Sequence, residues 1–159
     1  MINIKRDIDD QIRLLRELKK DTANKLLIYK VQPTSGVFNY IVVSPKGHWV
    51  RVFGEKDTLF LNPESAEVVT EAWVESVLRY KNLVGAKLTG EMKSLENGVT
   101  LVKVEAPAST AGVKTAWVDE KYIKPYKKLG FAMPGDLDYP SVWVFAEGRP
   151  IALIMPCKI

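Results

Sequence analysis

Four lysines stand within eight residues of one another, directly after an aspartate that suits the start of a helix. Asp119 precedes a predicted short helix over Glu120–Leu129, and its side chain can cap the helix N-terminus. The lysines occupy positions 121, 124, 127 and 128. Lysines projecting from one helix bind a phosphate backbone without reading base sequence. The segment therefore indicates either a polyanion-binding surface or a solvated face opposed only by Asp119 and Glu120.

A second group of basic side chains lies on the first predicted helix, over about Ile4–Thr22. Apolar residues recur there at spacings of three and four, which predicts one buried stripe consisting of Ile4, Ile8, Ile12, Leu15 and Leu18. Arg13, Arg16 and Lys20 project from the other side and are candidates for phosphate contacts. Acidic residues share that side, so an ion-paired, solvated face is the alternative.

Side chains for the common catalytic and metal sites are sparse. His48 is the only histidine and falls in a predicted turn, and Cys157 is the only cysteine and fits a small apolar packing residue. No glycine-rich phosphate loop is present. We therefore expect a non-enzymatic protein with no cofactor and no metal. A carboxylate and metal enzyme is the least favoured alternative, with Asp136 and Asp138 as a loop pair that could hold a cation.

Composition favours one folded domain. The chain has 159 residues, a net charge of +4, 47% hydrophobic residues and 26% charged residues, which are ordinary globular values. We expect a single domain over 1–159, with residues 1–24 as its N-terminal helical segment. The charged beginning of the chain does not resemble a signal peptide, so a cytoplasmic protein with no membrane partner is expected.

The hydrophobic pattern predicts an α+β fold built on antiparallel sheet, with two main helices and one short helix against one sheet face. The second main helix is expected from Asn62 to about Asn82, with Asn62 as its cap. Asn97-Gly98 predicts a type I′ hairpin turn, and residues 131–140 are expected to form a loop. Strands are predicted at 26–31, 37–43, 49–53, 58–61, 86–95, 99–104, 113–118, 141–146 and 150–155.

Tryptophans could act as stacking platforms or as core residues. Trp73 and Trp143 fall on predicted apolar faces, which favours core packing. Trp49 and Trp117 are left as possible platforms, and Trp49 is the one least constrained by its neighbours.

The C-terminal segment resembles the closing stretch of bacterial DNA polymerase sliding clamps. Three pieces match in order: Val118-Asp119-Glu120-Lys121-Tyr122-Ile123, then Pro140-Ser141-Val142-Trp143-Val144, then Ala152-Leu153-Ile154-Met155-Pro156-Cys157-Lys158-Ile159. The resemblance covers roughly the last quarter of the chain. A clamp subunit has three such repeats, whereas this chain has room for one, like clamp-like single-repeat proteins of phages and prophages.

The resemblance implies a clamp repeat whose basic helices touch the DNA backbone. Only Lys121 and Lys124 lie on the matched helix start and inherit that role. We therefore expect a DNA-associated protein, acting as a homo-oligomer with double-stranded DNA and with replication or phage proteins as partners. The alternative is a protein–protein interaction module on the same fold that does not bind DNA.

Overall fold

A computed structural model describes residues 4–21, 23–32, 38–54, 61–107 and 112–158. The chain forms two compact units, 1–78 and 79–159. The prediction of a single domain stays a prediction. The described strands are mostly antiparallel and are joined by three helices, so the α+β class is confirmed. None of the described helices is long and apolar enough to cross a bilayer.

The first unit contains a four-stranded sheet in the order β4-β1-β2-β3. The helix α1 spans Ile4–Lys20 and α2 spans Glu71–Val77. The strands are antiparallel except for β4, which runs parallel to β1. Their bounds are β1 Leu27–Val31, β2 Tyr40–Val43, β3 Trp49–Phe53 and β4 Glu67–Val69. The predicted hairpin around Ser44–His48 is confirmed, whereas positions 37 and 58–60 of the predicted strands lie outside the described residues.

A buried arginine attaches α1 to β3. The Arg51 side chain is fully buried, and its guanidinium donates from Nε to Asp10 Oδ2 and from Nη2 to Asp7 Oδ1, each at 2.5 Å. It also donates from Nη1 to the Val52 carbonyl at 2.9 Å and lies 4.5 Å from the Phe53 ring centroid. A buried guanidinium requires such partners, since an uncompensated charge in the core is costly.

This ion-pair cluster corrects the predicted stripe of α1. The buried residues of the helix are Asp10, Gln11 and Leu14, whereas Ile4 and Ile12 are exposed. The apolar period identifies the apolar side of the helix, but the side that packs on the sheet is the one that carries Asp7 and Asp10, because both bind the buried Arg51. The buried side of the helix is therefore shifted toward the aspartates, and Ile8, Leu15 and Leu18 of the predicted stripe are only half-buried.

The two helices of the first unit lie on opposite faces of its sheet, not on one face as predicted. Arg51, which α1 contacts, is opposite Val42 in the β2–β3 register. Tyr29 is in register with Ile41 and so projects to the other face, where its ring lies 4.7 Å from that of Trp73 on α2.

The predicted long helix from Asn62 to Asn82 is wrong. Asn62 caps a 3₁₀ turn over Pro63–Ser65 by accepting from the Glu64 N–H, and the chain then forms β4. Thr70 caps α2, with its hydroxyl accepting from the Trp73 N–H at 3.1 Å. β-Branched Val68 and Val69 favour a strand, and pairing of Val69 with Val31 on β1 outweighs the helical periodicity.

The second unit contains six strands in the order β10-β9-β8-β5-β6-β7, all antiparallel. Its bounds are β5 Leu83–Ser94, β6 Thr100–Ala106, β7 Lys114–Asp119, α3 Glu120–Ile123, β8 Gly130–Pro134, β9 Val142–Ala146 and β10 Arg149–Ile154. The predicted loop over 131–140 is therefore wrong at its start, because residues 130–134 form β8. Phe131 and Met133 are buried there while Ala132 is half-buried, a short alternation that a Gly- and Pro-containing stretch conceals.

Two features indicate that the sheet of the second unit is curved. β5 pairs with β8 through its first residues and with β6 through its later ones, and the register shifts between Leu88 and Met92, where Gly90 has φ +89°. Three residues after β10 ends, the Cys157 N–H donates to the Trp117 carbonyl of β7 at 2.8 Å. Three residues span only about 10 Å, so the first and last strands of this order approach each other.

The turn type of the Asn97-Gly98 hairpin differs from the prediction, and the predicted type occurs in another hairpin. The Asn97-Gly98 hairpin is confirmed but is not type I′, because Asn97 does not have a positive φ. Leu95 N–H bonds the Val99 carbonyl and Gly98 N–H bonds the Leu95 carbonyl, as in a three-residue loop that ends in a left-handed glycine. The type I′ geometry occurs in the predicted last hairpin, where Glu147 has φ 53° and Gly148 has φ 76°.

Replacing Glu147 with asparagine is expected to stabilise the protein. Glutamate is strained at positive φ and asparagine tolerates it, so we expect the free energy of unfolding to rise by about 0.5–1 kcal/mol in urea denaturation. Glu96→Asn is the matched control, since Glu96 is a turn residue without positive φ. A loss of stability in Glu147→Asn, or an equal gain in Glu96→Asn, would contradict this account.

Candidate nucleic-acid interface

The lysine-rich segment forms a short capped helix followed by a tighter turn. Asp119, the last residue of β7, accepts from the Lys121 N–H at 3.1 Å and so caps α3, as predicted. The chain continues as a 3₁₀ turn over Lys124–Tyr126, with Pro125 in its first turn. The helix is shorter than the predicted span to Leu129, because proline cannot donate the backbone hydrogen bond that α-helix requires.

The two sides of this segment differ sharply in chemistry. Tyr122, Ile123 and Tyr126 are buried, so three large side chains anchor the segment to the second unit. The opposite side is exposed and consists of Lys121, Lys124, Lys127 and Lys128. We refer to residues 121–128 as the basic turn. Because its backbone is anchored, the four ammonium groups project from a fixed support.

Few carboxylates neutralise the basic turn. The Lys121 Nζ lies 3.8 Å from Asp119 Oδ2 and 5.0 Å from the Tyr122 ring centroid. Among the described residues, no carboxylate lies within 4.0 Å of the ammonium groups of Lys124, Lys127 or Lys128. The Lys121 ammonium is exposed, so its attraction to the half-buried Asp119 is partly screened by solvent. The basic turn can therefore offer several cations to one polyanion.

The net charge of the chain resides in the unit that carries the basic turn. Residues 79–159 contain twelve Lys and Arg against eight Asp and Glu, whereas residues 1–78 contain eleven of each. The formal charge of +4 is thus confined to the second unit. A net positive field attracts polyanions over a distance of about a Debye length, so this distribution favours the second unit as the site of encounter.

The other predicted phosphate contacts lie on α1, in the first unit. Arg13 is half-buried, with its guanidinium 4.8 Å from the centroid of the Trp49 ring, while Arg16 and Lys20 are exposed. The structure thus groups Lys121 and Lys124 with two further lysines, and places Arg13, Arg16 and Lys20 on a separate helix. A phosphate role for these three residues stays a prediction. The unit that carries them has equal numbers of acidic and basic residues.

Sequence reasoning missed one basic and aromatic pair in the second unit. Lys93 of β5 holds its ammonium 4.8 Å from the ring centroid of Trp117 on β7. Lys103 of β6, the register partner of Trp117, pairs with Glu91 at 3.0 Å. The hydrogen bond from Lys103 lowers the pKa of Glu91. The Lys103 ammonium is therefore paired with a carboxylate. The Lys93 ammonium lies over an aromatic ring and is exposed to solvent.

Several other residues singled out in the sequence carry no site chemistry. Trp49, one of the possible stacking platforms, is instead a core residue, because it is fully buried beneath Arg13 on α1. His48 is exposed in the turn between β2 and β3, as predicted. Asp138 forms an ion pair with Lys114 at 3.7 Å. In the described ranges, no three His, Cys, Asp or Glu side chains are grouped closely enough to hold a metal ion.

The thiol of Cys157 is expected to react slowly at neutral pH. Cys157 is half-buried, and burial, together with the negative charge of Asp119, raises the pKa of its thiol. A raised pKa means less thiolate, which is the reactive species, at pH 7–8. We expect alkylation by iodoacetamide to be slower than that of glutathione and its pH profile to lie at higher pH.

Asp119→Asn provides the control for this thiol. Asparagine keeps the helix cap but removes the charge, so alkylation of Cys157 should accelerate and its pH profile should move toward lower pH. Alkylation in the wild-type protein as fast as that of glutathione would show that Cys157 is not shielded.

No protein-family model, curated protein or solved structure matches the chain.

Proposed function

We propose that this protein is a non-enzymatic, clamp-like DNA-associated protein that holds double-stranded DNA by its phosphate backbone through the basic turn. The observation that carries the proposal is the group of four exposed lysines on one anchored segment, with Tyr122, Ile123 and Tyr126 buried on its other side. Such an arrangement supplies positive charge at fixed spacing. Lysine is a compact point charge that suits a phosphate, and contacts to phosphates carry no sequence information.

The resemblance to sliding clamps supports the DNA assignment. The segments that carry the resemblance form a capped helix beginning after Asp119 and an antiparallel strand pair over Val142–Ala146 and Arg149–Ile154. In the proposal, Lys121 and Lys124 contact phosphates, and Lys127 and Lys128 extend the same surface. The protein acts as a homo-oligomer in the cytoplasm, with replication or phage proteins as further partners.

Duplex binding by the wild-type protein tests the proposal. Fluorescence anisotropy with two duplexes of equal length and unrelated sequence should give equal affinities. The logarithm of the affinity should fall linearly with the logarithm of salt concentration, with a slope of about −0.9 for each phosphate contacted. Four lysines in contact predict a slope of about −3 to −4. Binding that distinguishes the two sequences or is insensitive to salt would refute backbone binding by these lysines.

An interaction module that does not bind DNA is the second candidate. It is favoured by the apolar residues that α1 leaves exposed, Ile4 and Ile12, and by Val68 on the edge strand β4. Exposed apolar side chains on a helix and on an edge strand suit a protein partner. In that case duplex binding is absent at low salt, whereas a double Ile4→Ser and Ile12→Ser variant, compared with wild type, loses the partner recovered by crosslinking in cells.

A further inference from the structure

Trp117 of β7 differs in its surroundings from the other three tryptophans of the chain. Trp49 and Trp143 are fully buried, and the Trp73 ring lies 4.7 Å from that of Tyr29. Trp117 is half-buried, and the charged group over its ring belongs to an exposed side chain of β5. Part of this ring therefore faces solvent, next to a side chain that is able to change its rotamer.

The Trp117 side chain projects from one face of the sheet of the second unit, which we call the outer face. Side chains alternate along a strand, and Ala116 and Val118 on the opposite face are buried in the core. Lys103, the register partner of Trp117 on β6, projects from the outer face as well. The Lys93 ammonium reaches this face from β5 and lies 4.8 Å from the centroid of the Trp117 ring. The outer face thus combines an aromatic ring with two ammonium groups.

The Lys93 and Lys103 ammonium groups differ in their ion pairing. Lys103 pairs with Glu91 at 3.0 Å, which lowers the pKa of that carboxyl. Asp119, at the end of β7, caps α3 and lies 3.8 Å from Lys121 Nζ. Among the residues that the structure describes, no carboxylate lies within 4.0 Å of the Lys93 ammonium. Lys93 can therefore pair with an anionic ligand without breaking an ion pair of the protein.

We propose that Trp117 and Lys93 bind single-stranded nucleic acid, with one base stacked on the Trp117 ring and a phosphate of the same strand bound by the Lys93 ammonium. Single strands bind to proteins through aromatic rings that stack on bases and cations that contact the backbone. An exposed cation–π contact is weaker than the stacking of a base on an aromatic ring, so a base can replace Lys93 over the ring. The displaced ammonium remains beside the ring, within reach of the backbone of the bound strand.

The combination of ring and cation identifies the occupant. A neutral apolar ligand would use the ring and leave the ammonium without an anion, and an acidic peptide without aromatic groups would use only the ammonium. A nucleotide strand uses both. The formal charge of +4 resides in the second unit, which favours the approach of a polyanion to this face. The inference does not depend on duplex binding by the basic turn.

Two substitutions of Trp117 test the stacked base. Trp117→Leu keeps an apolar side chain without a ring, whereas Trp117→Phe keeps a ring. Fluorescence anisotropy with a labelled oligothymidylate of about ten nucleotides should show affinity about tenfold lower for the leucine variant and a much smaller loss for the phenylalanine variant. Absence of binding by the wild-type protein, or equal affinities of the wild-type and leucine proteins with unchanged circular dichroism, would overturn the inference.

A lysine variant decides the result if Trp117→Leu does not fold. Lys93 is exposed, so Lys93→Glu should keep the fold, lower the affinity for oligothymidylate and make the salt slope shallower by about 0.7. Lys25→Glu makes the same change in charge at an exposed position of the first unit and is the matched control. An equal loss in both variants would mean that net charge alone attracts the strand, which contradicts a site at Trp117.

Duplex affinity separates this inference from the proposed function. Trp117→Leu should leave duplex binding unchanged, because paired bases remain stacked within the duplex and do not reach the ring. Equal losses of duplex and oligothymidylate affinity in Trp117→Leu would overturn the inference. Absence of duplex binding by the wild-type protein, with oligothymidylate binding retained, would overturn only the proposed function.

Discussion

Asp10→Ala is expected to lower the free energy of unfolding by about 3–5 kcal/mol, because the fully buried Arg51 loses a carboxylate that neutralises it. The guanidinium charge of Arg51 then either stays in the core with one carboxylate fewer, or the helix leaves the sheet. Urea unfolding at pH 7, followed by tryptophan fluorescence and by circular dichroism, measures the loss. Docking of α1 on β3 is thus expected to depend on charge pairing as much as on apolar burial.

The neighbouring aspartates of α1 provide matched controls. Asp9 pairs only with Lys5 in the described residues, and both side chains are exposed, so Asp9→Ala should change stability by less than about 0.5 kcal/mol. Asp7 is more exposed than Asp10, at 18% against 6%, so Asp7→Ala should fall between the two. Equal stability of the Asp9→Ala and Asp10→Ala variants would show that the Arg51 cluster does not hold α1.

Charge reversal at Lys121 and Lys124 is the prediction with the second largest effect. The double change Lys121→Glu and Lys124→Glu is expected to weaken duplex binding by about ten- to a hundredfold and to make the salt slope shallower by about 2. The loss should be the same for unrelated sequences, because phosphate contacts carry no sequence information. Anisotropy titrations over a range of salt concentrations measure both quantities.

Two further charge reversals separate the basic turn from general charge. Lys25→Glu with Lys46→Glu makes the same change in net charge at exposed positions of the first unit, and should have little effect. Arg16→Glu with Lys20→Glu tests the residues of α1. If reversing Lys25 and Lys46 lowers duplex affinity as much as reversing Lys121 and Lys124, net charge alone attracts the DNA. If only the reversal of Arg16 and Lys20 lowers duplex affinity, the interface lies on α1.

Elements whose signals are local could be predicted from the sequence. The helix over Ile4–Lys20 follows from a long apolar period with no proline or glycine. The three hairpins follow from their turn residues, and Asp119 acts as the predicted cap. The sequence likewise predicts that the lysines of the basic turn project from a short helix, and all four are exposed. In each case, interactions within a few residues decide the conformation.

Only the tertiary structure decided which side of α1 is buried, that residues 67–69 form a strand, and that Cys157 bonds β7. Arg51, Val31 and Trp117, the partners that decide these features, lie more than thirty positions away along the sequence. A charge buried in the core requires a carboxylate whatever the apolar pattern of the helix that supplies it. The Trp117 carbonyl at the outer edge of β7 likewise requires a hydrogen-bond donor, and the Cys157 N–H supplies it. The periodicity of a local segment cannot predict these contacts, because they form between groups that are far apart in the sequence and meet only in the folded protein.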